Sequence, residues 1–157
     1  MPPLVISHRG KIDLHSPENV LSGIQEAIEL GVDMVEFDVR KLKDGTLVCH
    51  HDPNVGSIIL SEINFKRLKE LKETICKLDD VILLCKDKVG VNLDIKEIGF
   101  EAQIIEKLTC NFSYDKIIVT SFLPAVIRNI KALDSRINSG LLLGEGANYK
   151  VFYKIIK

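Results

Sequence analysis

Short β-branched runs alternate with amphipathic helical patterns along most of the chain, and that alternation restricts the fold more than any other feature. "PLVIS" (3–7) reads as a buried strand that delivers His8-Arg9-Gly10 at its end. Ser16-Pro17-Glu18 then predicts an N-cap, a proline at the first helical position and an acid in the first turn, with Gly31 as the stop. "DMVEFDV" (33–39) completes a βαβ unit. Beyond it, helices are predicted near 61–75, 100–109 and 124–133, and strands at 89–95, 116–122 and 138–143. This order predicts an α/β chain whose parallel sheet is flanked by helices. No linker, low-complexity tract or internal repeat interrupts residues 1–157, so the chain is read as one domain.

Polar residues gather where strands end: His8-Arg9, Glu36 and Asp38, Asp94 and Lys96, and Ser121. In α/β folds the carboxyl ends of the strands carry the chemistry. The densest group is "VEFDVRKLKDGTLVCHHD" (35–52), in which Asp44-Gly45 predicts a hairpin. A two-residue turn sets Asp38 opposite His51, with Glu36, Arg40 and Cys49 on the same face. A three-residue Lys43-Asp44-Gly45 loop sets Asp38 opposite His50 instead. Either register gathers Glu36, Asp38 and one histidine on a single face. Two neighbouring carboxylates repel one another unless a cation compensates, so a bound metal is the simplest resolution, with Asp94 as third ligand. All-oxygen ligands favour Mg²⁺ or Ca²⁺ over zinc. Singly, each motif has an ordinary explanation, such as a solvated strand face, a loop-closing histidine or an exposed Asp94–Lys96 ion pair. Their joint placement at successive strand ends argues against that.

The bulk properties exclude several classes. A net charge of −1 with scattered basic residues offers no footprint for nucleic acid or an anionic membrane. The four cysteines form no CxxC pair, so a reduced, cytoplasmic chain is expected. No apolar run approaches the ~18 residues that span a bilayer, and no cleaved signal is legible.

Together, His8-Arg9, Pro17-Glu18-Asn19, Glu36-Phe37-Asp38, Lys43-Asp44-Gly45, His51-Asp52 and Asn92-Leu93-Asp94-Ile95-Lys96 resemble the glycerophosphodiester phosphodiesterase family. The match runs from residue 4 to about 143, with Ser121-Phe122 and "SGLLL" as weaker echoes. The resemblance implies a TIM (β/α)8-type barrel and hydrolysis of a small glycerophosphodiester to sn-glycerol 3-phosphate and an alcohol. It implies His8 and His51 as the acid/base pair, Arg9 and Lys96 as phosphate-contacting cations, and Glu36, Asp38 and Asp94 as ligands of a divalent metal. The family usually has Glu where this chain has Asp94. The resemblance also selects His51 over His50, and with it the two-residue turn.

A full barrel takes ~250 residues and eight strands, whereas about six candidate strands precede Lys157. The expectation is therefore an incomplete barrel, truncated at its C-terminal side, whose open edge invites a homodimer. "NYKVFYKIIK" (148–157) is read as a final helix or an incomplete element. The alternatives are a related phospholipase D- or C-like phosphodiesterase, or a non-catalytic fragment acting as an interaction module.

Overall fold

The computed structural model describes residues 3–144, so the 148–157 segment lies outside the described residues. The chain opens with β1 (Ile6–Ser7), a 3₁₀ turn at His8–Gly10 and α1 (Leu21–Glu29). A hairpin of β2 (Met34–Lys41) and β3 (Leu47–Cys49) follows, then a small ladder of β4 (Asn54–Val55) and β5 (Ile58–Ile59). The rest is α2 (Phe65–Leu71), α3 (Leu78–Cys85), β6 (Gly90–Ile95), α4 (Glu101–Thr109), β7 (Ile117–Ser121), α5 (Pro124–Leu133) and β8 (Asn138–Leu141). Strands β1, β2, β6, β7 and β8 pair in that order, all in parallel, and β3 alone runs antiparallel beside β2. This is the expected α/β architecture, a run of adjacent parallel barrel strands with helices outside.

Period-two alternation sorts the side chains. Val35, Phe37 and Val39 of β2 pack with Val91, Leu93 and Ile95 of β6 and Val119 of β7 against Ile24, Ile104, Val126 and Ile130 of the helices, forming the main core. Glu36, Asp38, Asn92 and Asp94 therefore share the opposite face, where Glu36 pairs in register with Asn92 and Asp38 with Asp94.

Four local expectations need correction. "PLVIS" is not a buried strand: Leu4 and Val5 are 62% and 59% exposed, because β1 ends the sheet and pairs only with β2 among the described residues. Helix α1 begins at Leu21 rather than beside Ser16, since Asn19 adopts a left-handed φ of 57° and donates its N–H to the Arg9 carbonyl. The 61–75 helix is only α2, capped by the Asn64 side chain, and α3 was not anticipated.

The hairpin uses the three-residue loop. Leu42 and Gly45 N–H groups donate to Thr46 and Leu42 carbonyls, Gly45 takes φ 83°, and Asp44 accepts from Thr46 and Phe65 N–H groups. His50, not His51, lies opposite Asp38, and Cys49 faces Val39 in the core rather than sharing the carboxylate face.

Candidate active site

Each site residue is placed by a strand end or the turn after it. In the turn following β1, Arg9 adopts φ 57° and Gly10 φ 66°. A Cβ on Gly10 would lie 2.5 Å from Ile24 Cγ1, so only glycine lets this turn settle onto α1. The turn aims Arg9 inward: its backbone N–H donates to Glu36 at 2.8 Å, and its guanidinium donates to Glu18 at 2.8 Å and stands 3.4 Å from Asp38. His8 stays open to solvent, with Nε2 3.9 Å from a Glu36 oxygen.

Glu36, Asp38 and Asp94 each turn one oxygen into a common space, and these atoms all lie within 4.8 Å of one another. Lys96 Nζ bridges two of the three, 2.7 Å from Asp38 and in contact with Asp94. Asn19 grips Asp38 twice, donating from Nδ2 to its carboxylate at 2.8 Å and accepting its backbone N–H at 3.0 Å. The other Asp94 oxygen, Oδ1, is buried without a partner. A three-carboxylate donor set with an orphaned buried oxygen fits a hard divalent cation. His8, Arg9, Glu36, Asp38, Asp94 and Lys96 line a cleft of about 320 Å³, completed by Asn92, Thr120, Ile6 and Leu142.

The electrostatics follow from burial and pairing. Burial pushes the Glu36 carboxyl up to about 7, helped by the Asp38 and Asp94 charges and opposed by the Arg9 N–H. Burial also acts upward on Asp38, but hydrogen bonds from Lys96 and Asn19 and the Lys96 and Arg9 charges outweigh it, leaving Asp38 below the usual range. Asp94 is raised by burial despite its contact with Lys96.

Of the residues expected from sequence, His8, Arg9, Glu36, Asp38, Asp94 and Lys96 meet here. His51 lies outside the lining of the cleft, one residue past the His50 whose N–H donates to the Asp38 carbonyl, with its Nδ1 2.8 Å from Asp52 Oδ1. His50 turns away toward Asn54 and Lys72. Pro17-Glu18-Asn19 stood among the motifs of the resemblance, but sequence reasoning gave Glu18 and Asn19 no part in the site, because the proline before them looked like a helix start.

The fold agrees with comparisons to known proteins. Residues 8–151 match the family model for the glycerophosphoryl diester phosphodiesterase family. The chain belongs to that family. It is 31% identical over 164 aligned residues to a glycerophosphodiester phosphodiesterase of Caldanaerobacter subterraneus, covering 90% of this chain and 67% of that one. It is 30% identical to the probable glycerophosphodiester phosphodiesterase 2 of Mycobacterium tuberculosis, across 76% of this chain and 48% of that one. The chain thus spans about half to two thirds of these curated family members. Among solved structures, an Oleispira antarctica phosphodiesterase in complex with the product sn-glycerol-3-phosphate superposes with a TM-score of 0.81 at 25% identity, over 98% of this chain and 72% of that one. A Thermotoga maritima family member gives a TM-score of 0.82 at 24% identity, covering 99% and 70%. The family's TIM-barrel fold is therefore shared. Among the described residues no helix is long and apolar enough to cross a membrane.

Proposed function

We propose that the chain carries the catalytic residues of a metal-dependent phosphodiester hydrolase that cleaves glycerophosphodiesters to sn-glycerol 3-phosphate and an alcohol. The observation that carries this reading is the meeting of Glu36, Asp38 and Asp94 beside Lys96 and Arg9 at the strand ends. The three carboxylates would hold Mg²⁺ or Ca²⁺, which when bound neutralises a phosphoryl oxygen and orients the glycerol hydroxyls.

The chain's own groups supply the remaining steps. Arg9 presents a planar guanidinium and Lys96 a compact ammonium to the anionic phosphodiester. His8 and His51 divide the proton transfers: one imidazole takes the proton of the attacking hydroxyl or water, and the other protonates the departing alcohol oxygen. Asp52 holds the His51 ring through Nδ1, which leaves Nε2 for the transfer. A second copy is the proposed partner at the sheet edges that β1 and β8 form among the described residues.

The test is glycerol 3-phosphate release from glycerophosphocholine and glycerophosphoethanolamine with Mg²⁺, Ca²⁺ or EDTA. Release that needs metal and disappears in His8→Ala and His51→Ala is expected. A folded protein that releases nothing under any of these conditions overturns the reading.

A further inference from the structure

Arg40 lies two residues beyond Asp38 on β2, outside the lining of the cleft, with a side chain only 11% exposed. Its guanidinium reaches two different loops. Nε donates to the His51 carbonyl at 2.8 Å, and Nη1 donates to Glu97 Oε1 at 2.6 Å. The second Glu97 oxygen accepts the Lys41 N–H at 3.4 Å, so the carboxylate is itself tied to β2.

His51 needs such a tie. Strand β3 ends at Cys49, and the His50 N–H on the Asp38 carbonyl is the last backbone bond that carries its ladder onward. The His51 ring is bonded to the neighbouring Asp52, which is exposed and sits on the same loop. Arg40 is the contact that refers the His51 backbone to the strand carrying Glu36 and Asp38.

We propose that Arg40, clamped by Glu97, is the positioning residue that sets His51 against the carboxylate cluster. The inference rests on His51 being one of the two proton-transfer groups. A guanidinium suits the task because its rigid fork makes both bonds at once and stays charged, whereas a lysine ammonium lacks that planar geometry. Glu97 follows Lys96 directly, and the Lys96 N–H donates to the Val39 carbonyl, so one bracket couples the loops bearing His51 and Lys96. The cluster has its own supports, Asn19 and Lys96 on Asp38 and the Arg9 N–H on Glu36, so removing Arg40 should displace His51 while leaving metal binding in place.

The test compares wild type with Arg40→Met, Arg40→Lys and Glu97→Gln. For Arg40→Met, kcat is expected to fall about 10- to 100-fold, the loss typical of a small misplacement of a catalytic group. KM and the Mg²⁺ dissociation constant, measured by calorimetry, should stay within about twofold, since neither depends on His51 placement. Arg40→Lys should recover part of kcat, and combining Arg40→Met with Glu97→Gln should cost little more than Arg40→Met alone. Imidazole nitrogen spectra of the four histidines, assigned with single His→Ala variants, should show the His51 resonances moving in Arg40→Met and those of His8 unchanged. Unchanged kcat with unmoved His51 resonances overturns the proposal, as does parallel loss of kcat, Mg²⁺ affinity and thermal stability. If wild type itself releases no glycerol 3-phosphate, the hydrolase reading fails, and the imidazole spectra still decide the positioning contact.

Discussion

At the scale of single residues, the site is a balance among buried carboxylates, and Glu36 is the one pushed toward the protonated form. Its carboxyl is raised from 4.5 to about 7. The fold therefore favours the protonated acid, and that contribution is fully present below pH 4.5 and lost as pH rises through about 7. In EDTA, Glu36→Gln should match wild type near pH 4.5 and exceed it above pH 7 by up to about 3 kcal/mol, read from denaturant unfolding. Mg²⁺ at pH 8 should reverse the order by stabilising wild type alone; equal stabilisation of both proteins would remove Glu36 from the ligand set. Asn19 acts one layer out, holding the Asp38 carboxylate and its backbone N–H together. Asn19→Ala should weaken Mg²⁺ binding by about 10- to 100-fold in a calorimetric titration, as loss of a ligand-orienting hydrogen bond typically does. The carboxylates were legible from sequence because period-two alternation puts Glu36 and Asp38 on one face whatever the register. Asn19 was not, because Pro17-Glu18 carries the same signature as a helix N-terminus, and only the left-handed Asn19 backbone distinguishes a loop from a first turn.

At the scale of elements, strands were easier to read than the joints between them. The β-branched runs of β2, β6 and β7 stand where alternation placed them, whereas α3 went unread because "LDDVILLC" is short and nearly continuously apolar, with Leu83 74% exposed. An Asp-Gly pair announces a turn in two- and three-residue loops alike, so the residues left the hairpin register open, and the Leu42 to Thr46 bond overturns the two-residue turn that the resemblance selected. The turn that carries Arg9 and the hairpin turn differ in what they demand of their glycines. Gly45 has φ 83° and open space where a Cβ would stand, with nothing within 4 Å, so Gly45→Ala should cost only the left-handed backbone penalty of about 1–2 kcal/mol. Gly10 combines φ 66° with a 2.5 Å approach to Ile24, so Gly10→Ala should add overpacking of about 1–3 kcal/mol to that penalty. Paired denaturation curves check the order, and equal losses would mean that α1 can move off the turn.

At the scale of the whole molecule, the sheet ends at β1 and β8 among the described residues. The charged groups of the site lie toward the β1 end, on the turn after β1, on β2 and on β6 with the residue that follows it, so they assemble within three adjacent parallel strands. The edges themselves are apolar: Leu4, Val5 and Ile6 are 62%, 59% and 38% exposed beside β1, and Leu143 is 36% exposed just past β8. Unpaired strand edges of this character recruit other strands, and a lysine on the edge is the usual deterrent. The 157-residue chain is therefore expected to show an average mass above that of a monomer in sedimentation equilibrium at tens of micromolar, and Val5→Lys should return it toward monomer. Glycerol 3-phosphate release measured on both proteins then separates two uses of the edge. Activity that falls along with association means that a second copy completes the cleft beside His8. Activity retained by monomeric Val5→Lys means that a single copy of the chain holds the chemistry and the edge serves assembly alone.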